Sequence, residues 1–242
     1  MLAKPRSGGA TGLSLWVHSA SAVFAKEARI EWRSRHALGT TLLFTVSTLA
    51  AMAFVLAQKA VGTDVKAALL WIVLLFAALT GLARAFVREE ELGTADALRL
   101  SAVSSAVYAG KLAFNLLLLL LVEAIATPLF LAVLPIPPGE MNIGLLVAVL
   151  FLGGVGLAAA ATFIAALVAQ TSAGGGRGAL FFIVAFPVLM PCLMAGVGGT
   201  LGAFAPLAVP AQLAHNNVVM LVSYDVVVVA AAFALFSSIW EA

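Results

Sequence analysis

The residues able to do chemistry in this sequence are few and fall in three places. The densest is the segment RAFVREEELGTADALRLSAVSSAVYAGK, residues 84–111, where Arg84 and Arg88 precede Glu89, Glu90 and Glu91, with Asp96 and Arg99 beyond. Charges packed this closely suit electrostatic docking of a soluble partner better than turnover of a substrate. Gly93 fits a left-handed helix C-cap and Thr94 an N-cap, and Asp96 in the next first turn complements that helix's dipole. The spacing therefore predicts a helix running out to about Glu91 and a short capped helix after it. The plain reading is a solvated hairpin between two spans; the functional reading is a docking helix.

The second place is FAKEARIEWR, residues 24–33. On a helical wheel Trp16, Val17, Ala20, Val23, Phe24 and Ile30 share one face, while His18, Lys26, Arg29 and Arg33 gather opposite. That pattern predicts an amphipathic helix over residues 13–36 lying in a membrane interface. Glu27 and Glu31, four apart, break the pattern by falling within the apolar arc. The third place is Glu123, near the middle of an apolar run, where a carboxylate is costly unless paired, protonated or wetted. It is expected to face the interior, either bonded to a neighbouring helix or lining a substrate path. Asp225 is read as lying close enough to the end of the last run to snorkel.

No catalytic or metal constellation accompanies these residues. His18, His36 and His215 are scattered, and there is no His-Glu-x-x-His, no paired-aspartate motif and no Ser/His/Asp set within reach. The stretch GGGRG, residues 174–178, lacks the Lys-Ser or Lys-Thr of a nucleotide-binding loop and reads as a flexible hairpin. The chain is thus expected to be no enzyme, with no catalytic residue, no metal and no bound cofactor of its own. The lone Cys192 has no internal partner for a disulfide.

The elements that must hold these residues follow from composition. Of 242 residues, 63% are hydrophobic and 10% charged, and the mean hydropathy is +1.13. A soluble fold of this size has too little interior for that much apolar surface, so the solvent is lipid. Apolar runs predict six spans at about 38–57, 67–87, 112–134, 143–169, 179–200 and 218–240, in one membrane domain over 13–242 behind a disordered tail, 1–12. Lys4 and Arg6 are not followed by the apolar core of a signal peptide. Eleven of the 13 Lys and Arg fall on one side of such a layout, with only Lys59 and Lys66 opposite. That bias predicts both termini in the cytoplasm. It also explains the net charge of +2 by topology, with no nucleic-acid partner. Outer segments are expected near 58–66, 135–142 and 201–217, the last as a loop or a pair of short re-entrant or interfacial helices. In the fifth span, Pro187 and Pro191 each remove a backbone bond on one face and predict a bend, with Gly196, Gly198, Gly199 and Gly202 allowing close packing or hinging.

Three of these segments together resemble the cytochrome c maturation protein B family, also called haem exporter protein B. FAKEARIEWR is similar to the family's amphipathic helix through Glu27, Arg29, Glu31 and Arg33. The inner segment resembles the family signature of Arg, paired acids, Gly, Ser or Thr, an acid and Leu at Arg88, Glu89, Glu90, Gly93, Thr94, Asp96 and Leu98, followed by Lys111. GGGRGALFFIVAFPVLMP resembles the family's Gly-rich turn and its fifth span with Pro187 and Pro191. Where family members carry a Leu-Ser-Pro-Leu-Pro type segment, this chain reads LRLSAVSSAVY. The resemblance implies an all-α, ABC-2-type permease of the bacterial inner membrane, present in two copies. Its partners would be a soluble, CcmA-like ABC ATPase that binds ATP, CcmC-like and CcmD-like membrane proteins and a CcmE-like haem chaperone. Haem would be cargo. The alternative is an ABC-2-type permease for a drug, lipid or polysaccharide.

Overall fold

The computed structural model describes residues 9–56, 60–82, 93, 98, 103–136, 141–170 and 177–240. Among them the regular elements are seven α-helices: α1 (Gly9–Ser34), α2 (His36–Leu56), α3 (Thr63–Leu82), α4 (Ser104–Val133), α5 (Ile143–Ala169), α6 (Arg177–Phe204) and α7 (Ala211–Trp240). The last six are long and apolar enough to cross a membrane. Helices suit that solvent because each backbone donor finds its acceptor within the same segment.

The centre of the bundle is α5, which packs against α3, α4, α6 and α7. Its sequence explains the position: it has no charged residue, and GGVGLAAAA, residues 153–161, keeps its surface close to the backbone, so four helices can approach it. Polar side chains then join helices where lipid offers no alternative. Asn115 Nδ2 of α4 donates to Thr162 Oγ1 of α5 at 2.8 Å, and Tyr108 Oη donates to the Ala159 carbonyl at 3.2 Å. The largest of these joints is Trp71 of α3, 1% exposed, whose Nε1 donates to Thr200 Oγ1 of α6 at 2.7 Å. The indole fills space that glycines leave. A Cβ on Gly153 of α5 would overlap the Trp71 ring, and one on Gly196 of α6 would lie 2.5 Å from it.

Helix ends differ from the apolar runs in informative ways. α4 starts at Ser104, before the residue 112 expected from hydropathy, because LRLSAVSSAVY holds no proline to stop it. α7 starts at Ala211 rather than near 218. Its first turns carry Gln212, Asn216 and Asn217, whose side chains are satisfied along the helix: Gln212 Nε2 donates to Asn216 Oδ1 at 3.1 Å and Asn217 Nδ2 to the Leu213 carbonyl at 2.9 Å. A helix can therefore continue past the lipid it spans. Short re-entrant or interfacial helices over 201–217 are absent; α6 extends to Phe204, and the turn between α6 and α7 is Ala205–Pro210, closed by Val209 N–H to the Ala205 carbonyl. At the other end, helix α1 already includes Gly9–Gly12, which the sequence places in the tail. The GGGRG turn up to residue 176 and residues 137–140 of PIPPGE lie outside the described residues.

Candidate functional site

Much of the apolar arc of α1 packs on protein, with Val23 buried and Val17 left exposed. It lies along the first part of α4, with Trp16 Nε1 donating to Ser105 Oγ at 2.9 Å and the Phe24 and Phe114 rings edge to face at 6.4 Å. Gly110 makes the approach possible, since a Cβ there would sit 2.6 Å from the Ala20 carbonyl oxygen. An amphipathic helix placed at the membrane interface thus also rests one side on the bundle, through α4.

This seam accounts for both acids that break the pattern. Glu27 Oε1 meets Lys111 Nζ of α4 at 2.6 Å and Lys26 Nζ at 3.4 Å. Lys111 is 1% exposed, and a cation so placed requires a counter-charge. Glu31 performs another task. Its Oε1 accepts from the Leu38 N–H at 2.8 Å and its Oε2 from the Ala37 N–H at 3.2 Å, which satisfies the open donors at the start of α2. The chain turns between the two helices at Arg35, whose φ is 50°. Neither acid is therefore free to meet a soluble partner. Arg29 and Arg33 stay exposed on the opposite face.

In the inner segment, Gly93 has a φ of 64°, the left-handed conformation expected of a helix C-cap. Leu98 is helical and packs half-buried against the main core. Arg88, Glu89, Glu90, Thr94 and Asp96 lie outside the described residues.

Inside the bundle, Glu123 of α4 is 4% exposed and faces α5, where a Cβ on Gly154 would lie 3.0 Å from its Oε1. That oxygen has no hydrogen-bond partner among the described residues. Asp225 of α7 is 8% exposed, and the expectation that it snorkels is corrected. Because α7 begins at Ala211, Asp225 lies at mid-helix. Its Oδ1 faces Gly156, beside Cys192 Sγ and the Tyr224 ring, and neither of its oxygens has a hydrogen-bond partner among the described residues. Cys192 Sγ contacts the Gly153 carbonyl at 3.7 Å and Tyr224 Oη donates to the Val188 carbonyl at 3.0 Å. Two acids from two helices thus flank one glycine segment of α5. Their juxtaposition leaves no mark in the sequence, where hydropathy places the start of α7 near 218 rather than at Ala211.

Pro187 and Pro191 sit within α6, which continues through both as one helix. Both are exposed on its outer side. The glycines that follow pack within the chain: Gly196 on Trp71, Gly198 on Asn217, Gly199 on Val149 and Gly202 on Ala214. Among the described residues no three His, Cys, Asp or Glu side chains gather as a metal site.

The family model described as CcmB protein matches residues 18–239, a range that takes in α1 from His18 and all six spans. No curated protein matches the chain.

Proposed function

The chain belongs to the CcmB protein family, a family of transmembrane permease subunits for haem transport in cytochrome c biogenesis, and from that premise we propose that it is the permease of an ATP-driven ABC transporter. The match over nearly the whole chain, together with six spanning helices, carries this reading. ATP would be hydrolysed on a separate CcmA-like subunit, with CcmC-like, CcmD-like and CcmE-like proteins taking part in haem delivery. Deleting the gene and staining c-type cytochromes for covalent haem tests it: the stain should be lost, and a normal stain would point to another cargo.

The inner segment is the place for the ATPase. Glu27 and Glu31 are engaged by Lys111 and by the start of α2, and of the acids in the inner segment the paired Glu89 and Glu90 of the family-like signature are assigned the main docking role. Reversing both to Lys should release the ATPase from membranes while the permease stays inserted, since like charges facing each other across an interface are strongly unfavourable. Undiminished co-purification at moderate salt would place the contact elsewhere.

Both termini are assigned to the cytoplasm, on the distribution of Lys and Arg. A Cys introduced at Ser101 should resist an impermeant thiol reagent in intact cells with a permeable outer membrane; labelling would invert the orientation. Pro187 and Pro191 are assigned a hinge role in the transport cycle, because each leaves a carbonyl one turn earlier without its helical partner. P187A/P191A should express at least as well as the wild-type chain but uncouple ATP hydrolysis from cytochrome maturation. Normal covalent haem in that variant would reduce the prolines to a packing feature.

A further inference from the structure

The last turns of α1 and the turn residue Arg35 form an exposed face whose charge is unbalanced. Arg29, Trp32, Arg33 and Arg35 are all exposed, Trp32 at 79%, and the Arg35 guanidinium lies over the Trp32 ring, 5.9 Å from its centroid. The acids nearest in sequence cannot neutralise them. Glu27 is turned inward to Lys111 and Glu31 is held by the Ala37 and Leu38 N–H groups. Among the described residues, Arg29, Arg33 and Arg35 have no carboxylate partner.

The depth of this face is set by the chain itself. Arg35 and His36 alone separate α1 from the apolar span Ala37–Leu56, so residues 29–35 lie where hydrocarbon gives way to headgroups. An exposed indole and several guanidiniums at that level match the two chemistries found there, apolar ring contact with the acyl boundary and charge pairing with phosphate. We propose that Arg29, Arg33 and Arg35, with Trp32 between them, bind the headgroups of anionic phospholipids in the leaflet beside α1. The ligand is a lipid rather than an acidic protein surface because Trp32 occupies the middle of the face, in the last turn of α1 just before the first span. Helix α1 is fixed to α4 through Glu27 and Lys111 and to α2 through Glu31, so a headgroup held here would steady the corner between α1 and α2.

The test uses the full-length chain in phosphatidylcholine vesicles containing, at equal mole fraction, either dibrominated phosphatidylglycerol or dibrominated phosphatidylcholine. Quenching of Trp32 is read as the difference between the wild-type chain and W32F, because Trp16, Trp71 and Trp240 are common to both. Phosphatidylglycerol should be enriched near Trp32 by about fivefold for each guanidinium engaged. R29Q/R33Q/R35Q should bring the two lipids to parity, and R29K/R33K/R35K, which keeps the charge, should retain most of the preference and so show that α1 remains in place. Equal quenching by both lipids in the wild-type chain overturns the assignment. So does a preference that survives in the Gln variant, or release of a co-purifying ATPase by that variant with no lipid preference in the wild type. Lipid binding here is independent of the cargo, so its failure would leave the transport reading untouched.

Discussion

Replacing Lys111 with Met should lower the melting temperature of the purified permease by roughly 6–12 °C, from the loss of about 3 kcal/mol. The ammonium of Lys111 is buried against Glu27 at 2.6 Å, and its removal leaves a carboxylate pointing into the α1–α4 seam. Breaking a buried pair from one side costs about 3–5 kcal/mol. The lower end applies because Glu27 keeps a little exposure and still has Lys26 at 3.4 Å, where water screens the attraction. The same change should loosen α1, so tryptic cleavage at Lys26 and Arg29 should quicken. E27L/K111M, which removes both charges, should recover most of the stability, since an apolar pair of similar volume replaces a buried ion pair at little cost. A K111M protein that melts with the wild type, or a double variant no better than the single one, would mean that the pair does not hold the seam.

The second large effect is expected at Gly153. G153A should destabilise the bundle by roughly 1–3 kcal/mol, read as a lower melting temperature and poorer recovery in detergent. The added methyl would occupy the place of the Trp71 ring, and the ring cannot easily move away. Its Nε1 is tied to Thr200 and its other side lies against Gly196, where space is also lacking. W71F in the wild-type background should itself destabilise, because it leaves a gap and removes the bond to Thr200. In the G153A background the same substitution should stabilise, because the smaller ring releases the overlap. A reversal of sign between the two backgrounds is specific to this contact; additive losses would show that Gly153 matters for another reason.

The sequence by itself determined the solvent, the helical class and the number of spans. These follow from sums over many residues: 63% hydrophobic composition with few charges calls for lipid, and uninterrupted apolar runs of about 20 residues select helices over barrel strands, which no single side chain can alter. The family was legible too, from three short segments, and the match over residues 18–239 agrees with it. The left-handed backbone of Gly93 was readable because it is a local demand that glycine meets best. Glu27 and Glu31 were visible as exceptions on an apolar arc, but their reasons were not.

Tertiary structure decided what those exceptions meet, because partners distant in sequence leave no periodic trace. Lys111 is 84 residues from Glu27, and only the packing of α1 on α4 brings them together. Asp225 was misread for a related reason. Hydropathy marks where lipid begins, whereas α7 begins seven residues earlier at Ala211, which moves Asp225 to mid-helix beside Gly156. Trp71 gave no sequence signal at all. Its place depends on two glycines from two other helices leaving room at the same point, a fit that exists only once three helices are packed.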